Sequence, residues 1–388
     1  MHSFIYDIPT KLFFGDLDYS QLSKVIKQYG NNLLLVYGGE SIKRNGLYEI
    51  IVETCLQTGI DISELSGVRP NPDIRTVREG IVICREKGIE VVLAVGGGSV
   101  IDVAKWIAAG VYVDFDPWDF FSKWAPVKKA LPIITVVTIS GTGSEMDCSG
   151  VINNCETNDK IGRSDYHIFP KASFLDPNLT KTVNRYHTAC GAIDIFSHVV
   201  EVYFNLNRDL DMFDCVMESI MRTVLKYAPI ALADPTDYEA RANLMWSAPW
   251  AINGLTVGSK KQSWSSHKIE HQLSAYYPIT HGEGIAIIMI NWLKYCLNEK
   301  TVHKYAQFGK NVFSIQAERS EMAIALESIS RLETFCFETL KLRRHLSDLG
   351  VGTDYFSEMA NKACFSTAIN GFITLKPEDV EAILQMSL

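Results

Sequence analysis

Much that would classify a 388-residue chain at a glance is missing here. No stretch approaches the roughly 20 consecutive apolar residues that a membrane-spanning helix needs. The opening MHSFIYDIPTKLFFG is interrupted by Asp7 and Lys11, so it has no apolar core for a secretory signal, and a cytoplasmic location is expected. There is no basic block. With 37 basic against 45 acidic residues, the electrostatic footprint of a nucleic-acid binder is absent and no nucleic-acid partner is expected. The nine cysteines are odd in number, scattered from Cys55 to Cys364, and never spaced C-x-x-C. They fit reduced, mostly apolar core residues better than a disulfide framework or a thiolate metal site. Internal repeats, low-complexity tracts and a long linker are also lacking.

The length suits two domains, and the character of the chain changes part-way along it. Through the first 180 residues, short β-rich runs alternate with helical stretches. LLLVY (Leu33 to Tyr37) reads as a buried strand, followed by a glycine turn and a helix through LYEIIVETCL. ISELSG reads as a second strand, IRTVREGIVICREKG as a helix, VVLAV (Val91 to Val95) as a strand, the run from about Val100 to Ala109 as a helix, and PIITVVT as a further strand. This order predicts a mostly parallel sheet covered on both faces. Beyond FLDPNLTKTVNR, where Pro177 interrupts, the runs are amphipathic and helical. We expect an α/β nucleotide-binding domain over 1–180 and an all-α metal-binding domain over 181–388.

VVLAVGGGSVIDVAKWIAAG is a strand, a three-glycine turn and a helix opening at Ser99. Glycines let backbone amides approach a phosphate, and a helix start adds unsatisfied N–H groups and partial positive charge. Gly97, Gly98 and Ser99 are therefore candidates for a pyrophosphate cradle; the plainer reading is a tight connection that binds nothing. The turn is not G-x-G-x-x-G and belongs to a later βα unit than the first. A second glycine-rich turn, ISGTGSEMD, carries hydroxyls at Thr142 and Ser144 close to Thr138; they suit a nucleotide or simply cap the next element.

The helical half holds the chemistry. In CGAIDIFSHVVE, Asp194 and His198 are four apart and leave one face of a helix; in WSSHKIEHQLSAYYPITHG, His267 and His271 repeat that spacing, and His281 follows in a turn. One such pair alone is more often a surface hydrogen-bonded pair. Three histidines within fifteen residues among Trp, Tyr, Leu and Ile are another matter, since an unpartnered imidazole is costly to bury. One carboxylate and two or three imidazoles converging from separate elements suit a divalent metal with an open position. Glu201 is read either as a carboxylate orienting one of these ligands or as an exposed helical glutamate. The same letters also fit a rival: His267-x-x-Glu270-His271 matches the pattern of inverted zinc peptidases, with Glu270 activating water. The nucleotide turns argue against that hydrolase.

Taken in order, GGGSVID, TISGTGSE, FLDPNLT, CGAIDIFSHVVE and the His-x3-His-x9-His run resemble the iron-containing, metal-dependent alcohol dehydrogenase family over essentially the whole chain, most closely its butanol dehydrogenase and broad-specificity aldehyde reductase branch. The resemblance implies a dehydroquinate synthase-like two-domain fold. It implies a metal, iron(II) or zinc, held by Asp194, His198, His267 and His281, with Asp194 and His267 essential to turnover and His271 facing the nicotinamide end of the cofactor. It also implies NAD(P)(H) on Gly97, Gly98, Ser99 and Asp102, with Thr138, Thr142 and Lys160 at cofactor-contacting positions, Leu179 nearby, and Asn71 bordering the adenosine half. Hydride would pass from nicotinamide C4 to a metal-polarised carbonyl, and small aliphatic substrates such as butanal and butanol are expected; a polyol dehydrogenase of the same fold is the alternative. A homodimer is expected, as in relatives of this family. One departure stands out: where the branch commonly reads YGGGS, this chain has Tyr37-Gly38-Gly39-Glu40-Ser41. A carboxylate at Glu40 accepts hydrogen bonds from a ribose 2′-OH and repels a 2′-phosphate, which points to NADH, although Lys43 and Arg44 are near enough to offset it.

Overall fold

The computed structural model describes residues 3–206, 211–257, 263–316 and 318–388. They divide into two compact units, Asp7–Val183 and Asn184–Leu388, the latter including the described residues that precede Asp7.

The first unit is built on a parallel sheet. Its strands are β1 (Lys11–Phe14), β2 (Asn32–Tyr37), β3 (Asp61–Leu65), β4 (Val91–Gly96) and β5 (Ile133–Val137), then, after an antiparallel hairpin of β6 (Ser149–Asn154) and β7 (Asp159–Ser164), β8 (Ala172–Leu175). The sheet order is β1-β8-β5-β4-β2-β3, every pair parallel. Every residue of β4 and β5 is buried, as strands covered on both faces require, which is why their sequences are unbroken apolar runs. The connecting helices are α1 (Ser20–Ile26), α2 (Ser41–Arg44), α3 (Leu47–Gln57), α4 (Ile74–Lys87), α5 (Gly98–Gly110) and α6 (Asp119–Ser122). In α4, Asp73 caps the first turn by accepting from Arg75 N, Ile74, Val77, Ile81 and Cys84 form the inward stripe, and Gly88 at φ 62° ends the helix.

The chain runs from β2 outward to β3, then returns to the far side of β2 as β4. That reversal is a topological switch point, and ligands of open α/β sheets bind outside the carboxyl ends of the strands there. The register makes the edge concrete: Tyr37 pairs with Val95, Gly96 with Val137, and Val137 with Leu175.

The second unit consists of α7 (Arg185–Tyr203), α8 (Asp211–Ala233), α9 (Tyr238–Ile252), α10 (Ser265–Tyr276), α11 (His281–Cys296), α12 (Val302–Phe313), α13 (Glu321–Thr334), α14 (Phe356–Ala363) and α15 (Pro377–Met386). It is helical apart from one small antiparallel ladder, Ile369–Asn370 with Thr374–Leu375. No described helix is long and apolar enough to cross a membrane. Two of the helices run through the interior. From Thr188 to Tyr203, α7 is buried on all sides; in α11, every residue from Gly282 to Leu293 is buried. Helices apolar all round are the interior helices of a large bundle, and their few polar residues must find partners inside it.

Candidate active site

Those polar residues meet. Asp194, His198 and Glu201 stand at i, i+4 and i+7 on α7, hence on one face. On α10, His267, Glu270, His271 and Ser274 share a face by the same arithmetic. His281 is the first residue of α11. The approach of α11 to α7 depends on Gly282, where a Cβ would lie 2.3 Å from the Cys190 carbonyl oxygen and 2.7 Å from that residue's carbonyl carbon and Cα. Only glycine admits two backbones so close. The contact lies one residue from His281 and four from Asp194.

Asp194, His267 and His281 each offer a donor atom, and these atoms lie within 4.8 Å of one another. Asp194 Oδ1 is the hub: His281 Nε2 stands 3.5 Å from it and His198 Nε2 3.6 Å. Two donors each bound about 2.0–2.1 Å from one tetrahedral ion are separated by roughly 3.4 Å, so the spacing is that of ligands sharing a cation. His198 lies outside the tightest group but stacks on His267, ring centroids 4.9 Å apart. His271 groups instead with Glu270 and His281.

The protonation pattern agrees with this donor set. Burial pulls His198 down to about 4 despite the Asp194 carboxylate, so its imidazole is neutral at pH 7. Burial pushes the Asp194 carboxyl up, but His198, His281 and His267 together hold it well below the usual carboxylate range. Asp194 Oδ1 and His267 Nε2 are buried without a hydrogen-bond partner, as is His198 Nδ1. Such atoms cost about 1–3 kcal/mol each when left unsatisfied, and two of them point at the same place. A divalent cation fits these residues.

Glu201 proves to be deeply buried and well occupied. It accepts from the backbone N–H groups of Ser265 (2.8 Å), Ser266 (2.6 Å) and His267 (3.0 Å), from the Ser266 hydroxyl, and from His267 Nδ1 at 3.3 Å. These are the orphan donors of the first turn of α10, whose N-cap residue Trp264 supplies no side-chain cap. Its carboxyl is held down by His267 and Ser266 against the upward push of burial. An ionised carboxylate only accepts, so His267 Nδ1 is the donor to it and Nε2 is the nitrogen left to ligate a cation. Trp264 itself has φ 52° and ψ 49°, a strained conformation for so bulky a residue, and its ring stands edge-on to His198 and His267 at 5.8 and 5.2 Å.

Glu270 was the water-activating base of the rival hydrolase pattern. Here it is wholly buried and accepts from Ser274 Oγ and His281 Nδ1. His267 and His271 fall into different donor groups, their rings 6.4 Å apart.

In the nucleotide unit, the predicted turns follow adjacent strands. Gly38, Gly39 and Glu40 come after β2, Gly97 to Ser99 after β4, Thr138 and Thr142 after β5, and Leu179 after β8. Helix α5 opens at Gly98, slightly earlier than the sequence suggested, with Gly97 extended before it. A Cβ on Gly97 would meet Ile139 Cγ2 at 2.4 Å and one on Gly98 would meet Thr142 Cγ2 at 2.3 Å. The glycines thus bring the two turns together, while the start of α5 leaves backbone N–H groups for an anion. Asp102 is committed within the protein: it accepts from Ser144 Oγ at 2.6 Å and Val151 N at 2.9 Å. Leu179 packs against the core under the sheet. Asn71, at φ 52°, accepts from Lys160 Nζ at 2.9 Å, joining the loop after β3 to the hairpin. Glu40 Oε1 is 3.6 Å from Lys43 Nζ, which also lies over the Tyr37 and Tyr48 rings.

Comparison with known proteins gives one consistent answer. The family described as iron-containing alcohol dehydrogenase matches residues 9–177, and its C-terminal counterpart matches residues 188–388. The chain is 45% identical to NADH-dependent butanol dehydrogenase B of Clostridium acetobutylicum, covering all of this chain and 99% of that one. It is 34% identical to the NADPH-dependent aldehyde reductase YqhD of Escherichia coli over 90% of each. Among solved structures, NADH-dependent butanol dehydrogenase A of Thermotoga maritima superposes with a TM-score of 0.94 at 35% identity, covering 100% of this chain and 99% of that one.

Proposed function

The chain belongs to the iron-containing alcohol dehydrogenase family, and from that premise we propose that it interconverts small aliphatic aldehydes and alcohols, butanal and butanol among them, with a divalent cation, iron(II) or zinc, and NAD(P)(H), NADH in preference to NADPH. The observation that carries the reading is the pair of buried, unsatisfied donor atoms, Asp194 Oδ1 and His267 Nε2, beside His281 Nε2. A cation at Asp194, His198, His267 and His281 supplies positive charge for the carbonyl oxygen, and the dinucleotide supplies the hydride.

The protein's own residues do the rest. The neutral imidazole of His198 keeps a lone pair for the cation, and Glu201, accepting from His267 Nδ1, leaves His267 Nε2 as the nitrogen turned to the ion. Trp264 shields both rings from water on one side. His271, partly buried beside His281 at 5.6 Å between ring centroids, passes the proton that the product oxygen requires. The phosphates belong at Gly97, Gly98 and Ser99, and Glu40 accepts from a ribose 2′-OH; the helix start at Gly98 and the NADH-dependent relatives support this reading. The hydrolase reading has lost its base, because Glu270 is already engaged by His281 and Ser274. A cytoplasmic homodimer completes the proposal, and light scattering on the purified chain tests the assembly.

The deciding experiment is anaerobic loading with iron(II) or zinc, then butanal reduction followed by NADH absorbance. Asp194→Ala and His267→Ala are expected to lose both metal and turnover, whereas His271→Ala keeps the metal and loses rate. A fully loaded chain that leaves NADH and NADPH unoxidised with every short aldehyde refutes the proposal.

A further inference from the structure

The first donor group is explained by a cation; the second, Glu270 with His271 and His281, is not. Glu270 is 0% exposed, and a carboxylate so placed must be matched by donors. It has Ser274 Oγ one turn further along α10 and His281 Nδ1 from the start of α11. Room for it is built in, because a Cβ on Gly284 would lie 3.0 Å from both Glu270 Cγ and Oε1. Any larger residue at 284 would press on this side chain.

We propose that Glu270 is a positioning residue for the metal centre: by accepting from His281 Nδ1 it fixes the ring so that Nε2, 3.5 Å from Asp194 Oδ1, faces the cation. The arrangement repeats on the second ligand what Glu201 does on His267. Each imidazole then has one nitrogen tied to a buried glutamate and the other turned toward Asp194 and the ion, the carboxylate–histidine–metal relay that orients ligands and raises their basicity. The geometry also accounts for the glutamate in His267-x-x-Glu270-His271. At i+3 from His267 it shares the ligand face of α10 yet reaches the next helix. The inference rests on the proposed function only in taking the cation site to be real.

The test is metal affinity, read without turnover. Co2+ is titrated into metal-free protein against a chelating dye, and its d–d absorption reports ligand geometry. Glu270→Gln keeps the shape and an acceptor oxygen but removes the charge, and it is expected to fold with an unchanged circular dichroism spectrum while binding Co2+ about 10–100-fold more weakly. Glu270→Asp is expected to recover part of the affinity, and both variants to show an altered Co2+ spectrum. Unmodified affinity and spectrum in a folded Glu270→Gln overturn the inference. So does an unmodified chain that binds no Co2+, which takes the proposed function with it; binding without butanal reduction by the unmodified, iron- or zinc-loaded chain sinks the proposed function alone.

Discussion

Gly282→Ala puts the geometry of the centre to its hardest test. The added methyl carbon would lie 2.3 Å from the Cys190 carbonyl oxygen, whereas ordinary carbon-to-oxygen contact is about 3.3–3.6 Å. Relief therefore requires about 1 Å of separation between α11 and α7. The methyl position is fixed by the backbone and the atoms it meets are backbone, so no rotamer change can supply it. His281 is adjacent on α11 and Asp194 is one turn along α7, so the displacement is delivered directly to two proposed ligands. Metal–ligand distances tolerate about 0.2 Å, and a 1 Å misplacement near reacting groups costs on the order of 100-fold in rate. The stability change should be modest by comparison: overpacking costs about 1–3 kcal/mol, and replacing glycine by alanine in a helix returns up to about 1 kcal/mol. Co2+ competition, butanal turnover and thermal melting should be measured on one preparation. A folded variant with at least tenfold weaker metal binding is expected. Gly309→Ala is the comparator, since it overpacks α12 against side-chain atoms of α13 at 2.7–3.2 Å and neither helix carries a proposed ligand. If Gly282→Ala matches the unmodified chain in affinity and rate, the helix contact does not set the site.

Glu40→Gly should lower the ratio of kcat/KM for NADH over NADPH by about tenfold or more, since it removes the acceptor and frees Lys43, now 3.6 Å away, to meet a 2′-phosphate; an unchanged ratio in steady-state assays removes Glu40 from cofactor choice. Glu145, pushed up to about 7 by burial, holds a proton in the folded chain that the unfolded chain releases near 4.5. Stability should therefore fall as pH rises from about 4.5 to 7, and Glu145→Gln should stabilise the fold at pH 8 by at most roughly 3 kcal/mol, read as a higher melting temperature, but not at pH 4; a gain of equal size at both pH values contradicts the assignment. Chelation of the bound cation should lower the melting temperature on the order of 10 °C, as expected for a ligand held near 1,000 times its Kd. Calorimetry with verified metal removal and no shift would count against a site built into the bundle.

Most of the strands that sequence patterning found are buried on both faces, such as Leu33 to Tyr37 and Val91 to Val95, where apolar runs are unbroken; the edge strand β3, buried only at Leu65, was the exception. It missed β1 and β8, at four residues each too short to display a period, and the β6–β7 hairpin, whose polar turn Cys155 to Asn158 breaks the pattern. The helical spacing of Asp194 with His198, and of His267 with His271, was legible because it depends only on the turn of a helix. What could not be read was which nitrogen faces which oxygen, since that depends on three helices meeting at a glycine. Glu270 shows the cost: the same five letters fitted a peptidase base until the Nδ1 of His281 was seen against it. Glu201 was left between two readings for the same reason, its three partner residues lying more than sixty positions downstream.

Glu201 stitches the seed of one helix to the last turn of another and steadies a ligand with the same two oxygens. A descendant that abandoned its cation would not be released from this acid, because deleting it would unravel the start of α10 whether or not any chemistry remained there. Drift at position 201 is thus policed by folding before it is ever seen by turnover, and directed evolution of new substrates would do better to leave this residue alone and vary Trp264, which lies against the same rings without tethering two helices.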